Sequence, residues 1–132
     1  MWPRRLLVAV VVVATAATTC AMSIVDADVV VYGGTAPGVM AAIGAANSTV
    51  NGKKLNIALL VVGSTPIGGM TTGGLSDVDA GDRSICGGFA RDFFFRVGRH
   101  YTGTRQFMPK GQECKVSLTY FKEMLQEAGF HL

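Results

Sequence analysis

Hydrophobic and polar positions divide the chain into successive stretches of different pattern. Leu6 to Thr18 is an unbroken run of apolar and small residues. Asp28-Val29-Val30-Val31-Tyr32 and Leu55 to Val62 are short apolar runs bounded by glycine, the pattern of buried parallel strands. Between them, Ala36 to Ala46 is rich in alanine, with Val39, Ile43 and Ala46 at helical spacing. That predicts a helix with a small-residue face, able to lie close on a sheet. Asn47 to Lys54 is polar and carries an Asn51-Gly52 turn signal. Strand, helix and strand in this order form a βαβ unit, which implies a parallel pair.

Gly63 to Gly88 is glycine-rich and reads as loop. Gly87 to Tyr101 resumes a helical pattern, with Phe89, Phe93, Val97 and Tyr101 four apart. Val116 to Ala128 predicts a further amphipathic helix with Leu118, Phe121, Leu125 and Ala128 on one face, closed by Gly129. Phe130-His131-Leu132 reads as the first residues of another strand. The expected fold class is α/β: a Rossmann-like βαβ unit with a parallel sheet, a glycine-rich loop and two helices. On this reading residues 28–132 are the N-terminal part of a larger domain, which makes the chain incomplete.

The N-terminus adds a targeting expectation. Arg4 and Arg5 precede the apolar run, and small residues follow it, as in a secretory signal peptide. Residues 1–21 are the expected leader, with cleavage after Ala21, or after Ala27 as the alternative. A signal anchor is the rival, because Leu6 to Val25 carries no charge over about 20 residues, enough to span a bilayer. Secretion with no membrane attachment after cleavage is the favoured reading. The net charge of +3 rests on 12 basic and 9 acidic residues, and two of the basic ones are Arg4 and Arg5. Nothing in that balance points to a nucleic-acid partner. Secretion would leave Cys86 and Cys114 where disulfides persist, but their spacing leaves open whether they pair or stay free.

Gly33-Gly34-Thr35-Ala36-Pro37-Gly38 sits between the first strand and the first helix, where a dinucleotide-binding turn belongs. The first glycine makes the tight turn and the last admits close packing of helix on strand. The free N–H groups of the helix N-terminus then face a pyrophosphate. Thr35 stands where the middle glycine of the fingerprint is usual, and its hydroxyl is a potential donor to phosphate. A ligand-free strand-to-helix turn has the same local pattern. Valine at Gly33 or Gly38 is expected to abolish binding without unfolding the chain outright.

A second segment, Ile67-Gly68-Gly69-Met70-Thr71-Thr72-Gly73-Gly74, follows the second strand. Together with Asp28 to Gly38, Asp79 and Gly87-Gly88-Phe89, it resembles the FAD-dependent oxidoreductases that open on a glycine loop and continue into a Gly-Gly-Met segment. The resemblance implies FAD as cofactor, with Gly33 to Gly38 on the pyrophosphate and Gly68, Gly69, Met70 and Thr71 lining the site. It also implies hydride transfer to or from a small-molecule substrate. In that family the second strand usually ends in a Glu that binds the ribose hydroxyls. The matching position here is Val62, followed by Gly63 and Ser64. A non-catalytic relic or a binding module that keeps the fold is the alternative, and an NAD(P)-binding Rossmann domain is disfavoured by the Gly68-Gly69-Met70 segment.

Other features have blander readings. Asp77, Asp79 and Asp82 lack the spacing of a calcium loop and read as solvated. His100 and His131 have no Cys or His at ligand spacing, and Phe93-Phe94-Phe95 reads as core rather than a flavin-stacking platform. Asn47-Ser48-Thr49 is a glycosylation sequon at the end of the first helix.

Overall fold

A computed structural model describes residues 6–9 and 24–132, apart from Ser76 and Ala80. Most of the expected leader, including the Ala21 cleavage point, lies outside the described residues. β1 (Leu6–Ala9) lies within it and pairs antiparallel with β2 (Ile24–Ala27), and Ala27, the alternative cleavage point, is buried. Among the described residues no helix is long and apolar enough to cross a membrane.

The βαβ unit forms as the periodicity predicts. β3 (Val29–Tyr32) pairs parallel with β6 (Ile57–Leu60), Val29 opposite Ile57 and Tyr32 opposite Leu60. Helix α1 (Ala36–Ala46) crosses between them and packs on both strands. Its return runs through a hairpin of β4 (Thr49–Val50) and β5 (Lys53–Lys54). Asn51 and Gly52 both take positive φ there, 52° and 75°. That is the geometry a two-residue hairpin turn requires and the reason Asn-Gly supplies it.

Three further helices cover the unit. α2 (Met70–Gly73) is a single turn within the glycine-rich stretch, followed by a 3₁₀ turn at Arg83–Ile85. α3 (Gly88–Thr102) and α4 (Cys114–Glu127) pack against each other and against α1. The core is Val39 and Ile43 of α1, Phe93 and Val97 of α3, and Phe121, Met124 and Leu125 of α4. The rings of Phe93 and Phe121 stack with centroids 4.3 Å apart, which adds about 0.5–1.5 kcal/mol to their burial.

The buried face of α4 is wider than the expected one. Val116, Ser117 and Met124 are buried with Phe121 and Leu125, while Leu118 is only partly covered. The reason is that α4 touches three helices rather than one, so its buried arc is wider than a single apolar stripe. Two polar groups share this interior, the Ser117 hydroxyl of α4 and the amide of Gln112 just before it, both fully buried and without a hydrogen-bond partner among the described residues. The expected strand at Phe130–Leu132 is absent. Instead the N–H groups of Gly129 and Phe130 donate back to Gln126 and Leu125, Gly129 takes φ 92°, and Phe130 packs on the core. These residues close α4. Cys86 and Cys114 are free thiols.

Arg96 of α3 ties the two long helices together. Its Nε donates to Asp92 at 2.8 Å, and its two terminal nitrogens donate to both oxygens of Glu127 at 2.7 Å. Those hydrogen bonds hold the Glu127 carboxyl below the ordinary carboxylate range. A lowered folded-state pKa contributes stability that is complete above the unfolded carboxylate value and is lost as pH falls through the folded one. Arg96 is part-buried but Glu127 is exposed to solvent, so the pair is worth only a few tenths of a kcal/mol, up to about 1. Glu127→Gln is therefore expected to lower stability by that amount at neutral pH, and to match the parent chain once acid has protonated the carboxylate. Urea melts across a pH series measure both.

Candidate functional site

The site is built where β3 runs into α1. The Gly33 N–H donates to Leu60 O at 2.9 Å, extending the parallel ladder by one bond, and the chain then turns sharply. Gly33 takes φ 113°, which side chains rarely adopt, and a Cβ there would meet nothing within 4 Å. Gly34 is buried against Val61. Thr35 caps α1, its hydroxyl accepting a long 3.4 Å bond from Gly38 N–H, and Pro37 lies in the first turn. A Cβ on Gly38 would collide with the carbonyl oxygen of Gly33. The last glycine of the motif is thus required by the turn itself, not only by helix and strand packing.

The second glycine segment docks on the first. Gly68 N–H donates to Gly34 O at 2.7 Å, and Thr35 and Gly68 form a parallel bridge. A Cβ on Gly68 would press on the Phe121 ring and the Thr72 methyl, and one on Gly69 would lie 3.2 Å from the Thr35 Cα. Both glycines have positive φ, 95° and 58°. The Thr72 hydroxyl donates to Ile67 O and Gly69 O, fixing the turn into α2. Gly33 to Gly38 and Gly68 to Thr71, separate in sequence, therefore share one end of the βα unit. Met70 projects outward and is 73% exposed.

The N-terminus of α1 is suited to an anion. The first N–H groups of a helix have no intrahelical partner, and the helix dipole adds partial positive charge. No acidic residue stands in the first turn to oppose a phosphate. Beside this turn lies an apolar cavity of about 360 Å³, walled by Ala36, Pro37, Met40, Thr71, Val78, Phe93, Phe94 and Phe121. Phe93 is core, as expected, and contributes one face to the cavity; Phe94, only partly buried, packs against the core and lines the cavity beside it.

Val62 lies two residues beyond the last paired residue of β6 and is 46% exposed. Gly63 follows with φ 68° in an exposed turn that also contains Ser64. The acidic loop is less free than its sequence implies. Asp77 accepts a 2.7 Å bond from Gly111 N–H, Val78 N–H donates to Pro109 O at 2.9 Å, and Asp79 is 3.7 Å from Lys110. Asp82 caps the 3₁₀ turn by accepting from Ser84, which lowers its pKa. This loop thus straps the glycine-rich stretch to the segment before α4, a contact that only the long-range fold reveals. Among the described residues no group of three or more potential ligands could hold a metal ion. His100 lies 3.4 Å from the Tyr120 hydroxyl, away from the glycine turns.

A parallel strand pair, a crossover helix and a glycine turn at the helix N-terminus define a Rossmann-like dinucleotide fold. Residues 28–132 match the model of the FAD dependent oxidoreductase family, and the chain belongs to that family. No curated protein and no solved structure matches it.

Because Gly38 faces backbone that cannot yield, Gly38→Ala is expected to open the turn. The cost should be about 1–3 kcal/mol of stability together with a loss of FAD affinity of more than tenfold. Gly33→Ala has space but the wrong φ, so it should cost less stability while still weakening FAD. Thermal melts beside fluorescence titration separate the two effects.

Proposed function

We propose that this chain binds FAD at the α1 N-terminus and forms the cofactor-binding N-terminal part of a secreted flavin-dependent oxidoreductase. The observation that carries the reading is the docking of the two glycine segments on each other at a helix N-terminus free of acidic residues. Gly33, Gly34, Thr35, Ala36, Pro37 and Gly38 would hold the pyrophosphate through the backbone of the turn; Pro37 has no N–H to give, and the Gly38 N–H, held by a long 3.4 Å bond to the Thr35 hydroxyl, would turn to a phosphate oxygen. Gly68, Gly69, Met70 and Thr71 would border the same ligand, and the adjoining cavity offers apolar walls to its rings. When bound, the flavin supplies the redox chemistry, accepting or giving a hydride. The protein's share is to bind, to orient and to keep water from the apolar side.

The adenosine end fits less well. Where the family carries a carboxylate for the ribose hydroxyls, Val62 and Gly63 present an exposed apolar side chain and no side chain at all. A charge-assisted contact of that kind is worth about 1.5–3 kcal/mol. That observation favours a second reading, in which the chain keeps the fold as a non-catalytic module and retains little cofactor.

Absorbance of the purified protein decides between them. Flavin bands that stay with the chain through gel filtration support the first reading, and a colourless chain that also fails to take up added FAD contradicts it. Val62→Glu is expected to tighten FAD about five- to thirtyfold, equivalent to about 1–2 kcal/mol. Weaker binding in that variant would mean that the β6 end has adapted around Val62.

A further inference from the structure

We propose that Asn47 carries an N-linked oligosaccharide, a modification that rests on the secreted reading above. Of the three asparagines, Asn47, Asn51 and Asn56, only Asn47 begins an Asn-X-Ser/Thr sequon, and its third residue is Thr49. The fold presents that tripeptide openly. Asn47, Ser48 and Thr49 are all exposed, at the junction where α1 ends and the β4–β5 hairpin begins. Asn47 is the C-cap of α1, and its Nδ2 donates to Ile43 O at 2.8 Å. An amide nitrogen has two hydrogens. Glycosylation replaces one and leaves the other free to keep the cap bond, so a glycan here is compatible with the folded helix end.

The position also spares the cofactor site. Asn47 lies at the opposite end of α1 from the glycine turn, about 16 Å away at the helical rise of about 1.5 Å per residue. Around it are Ser48, Lys53 and Lys54, all exposed, and the Val50 side chain, 53% exposed, which a sugar would shield from water. Chemically, Asn47 Nδ2 forms a bond to C1 of the first sugar of a lipid-pyrophosphate-linked oligosaccharide. The C1–O bond to the pyrophosphate breaks, the lipid pyrophosphate leaves with that electron pair, and the Nδ2 proton passes to the transferase's base. No redox change occurs.

The full chain should be expressed in a eukaryotic secretory cell, once with its own N-terminus and once behind a foreign leader. The secreted protein is expected to run as a heavier band that peptide N-glycosidase collapses, leaving aspartate at position 47 by peptide sequencing. Asn47→Gln and Thr49→Ala should each remove the heavier band, and Thr49→Ser should retain it. Because Thr49→Ala leaves the Asn47 cap bond intact, loss of the band in that variant cannot come from damage to the helix end. Secreted chain with unmodified Asn47 behind the foreign leader overturns the proposal. Failure of export with the chain's own N-terminus alone, while Asn47 is modified behind the foreign leader, instead overturns the secreted reading and shows that the acceptor site is sound.

Discussion

Gly68 lies where three parts of the molecule meet with no room for a side chain. Its N–H binds the carbonyl of Gly34, while its Cα faces the Phe121 ring of α4 and the Thr72 methyl of α2. That single residue fixes the second glycine segment onto the first and seats both on the helical core. Any larger residue would have to displace either the Thr72 side chain of α2 or the Phe93–Phe121 stack. The candidate site is therefore not a loop laid on a finished scaffold. Its backbone is part of the packing, so Gly68 serves the hydrophobic core as well as the proposed phosphate cradle.

Local physics accounts for much of the architecture. The limits of α1 coincide with the alanine-rich stretch, because Thr35 caps one end and Asn47 the other. Val29–Tyr32 and Ile57–Leu60 lie inside the apolar runs that announced them, and Asn51-Gly52 makes the turn its φ angles allow. What stayed hidden depends on partners distant in sequence. The collision that makes Gly38 indispensable is with Gly33 and has a local signature, but the one at Gly68 needs Phe121. Gly98 gave no signal at all, although a Cβ there would strike the carbonyl of Gln106, where the loop after α3 folds back. The strap from Asp77 and Val78 to Pro109 and Gly111 likewise reads in sequence as two unrelated polar loops.

The site residues divide along the same line. Gly33 to Gly38 could be named from their place between a strand and a helix, whereas the contact between Thr35 and Gly68 had to be seen. The Phe94 wall of the cavity was equally invisible, since three successive phenylalanines on a helix face three directions and only packing decides their roles. Val62 is the opposite case. Its departure from the family pattern is plain in the sequence, and the structure adds that the side chain is exposed beyond the end of β6 rather than absorbed into the core.

A pyrophosphate held by the α1 N-terminus makes a sharp demand on ligand chemistry. FAD contains the pyrophosphate and riboflavin does not, though both carry the same ring system. Isothermal titration of the chain with each ligand under identical buffer conditions tests this most directly. FAD is expected to bind at least tenfold more tightly than riboflavin, and Gly38→Ala to remove most of that difference. Equal affinity for the two ligands, or a preference for FAD that survives Gly38→Ala, would contradict it.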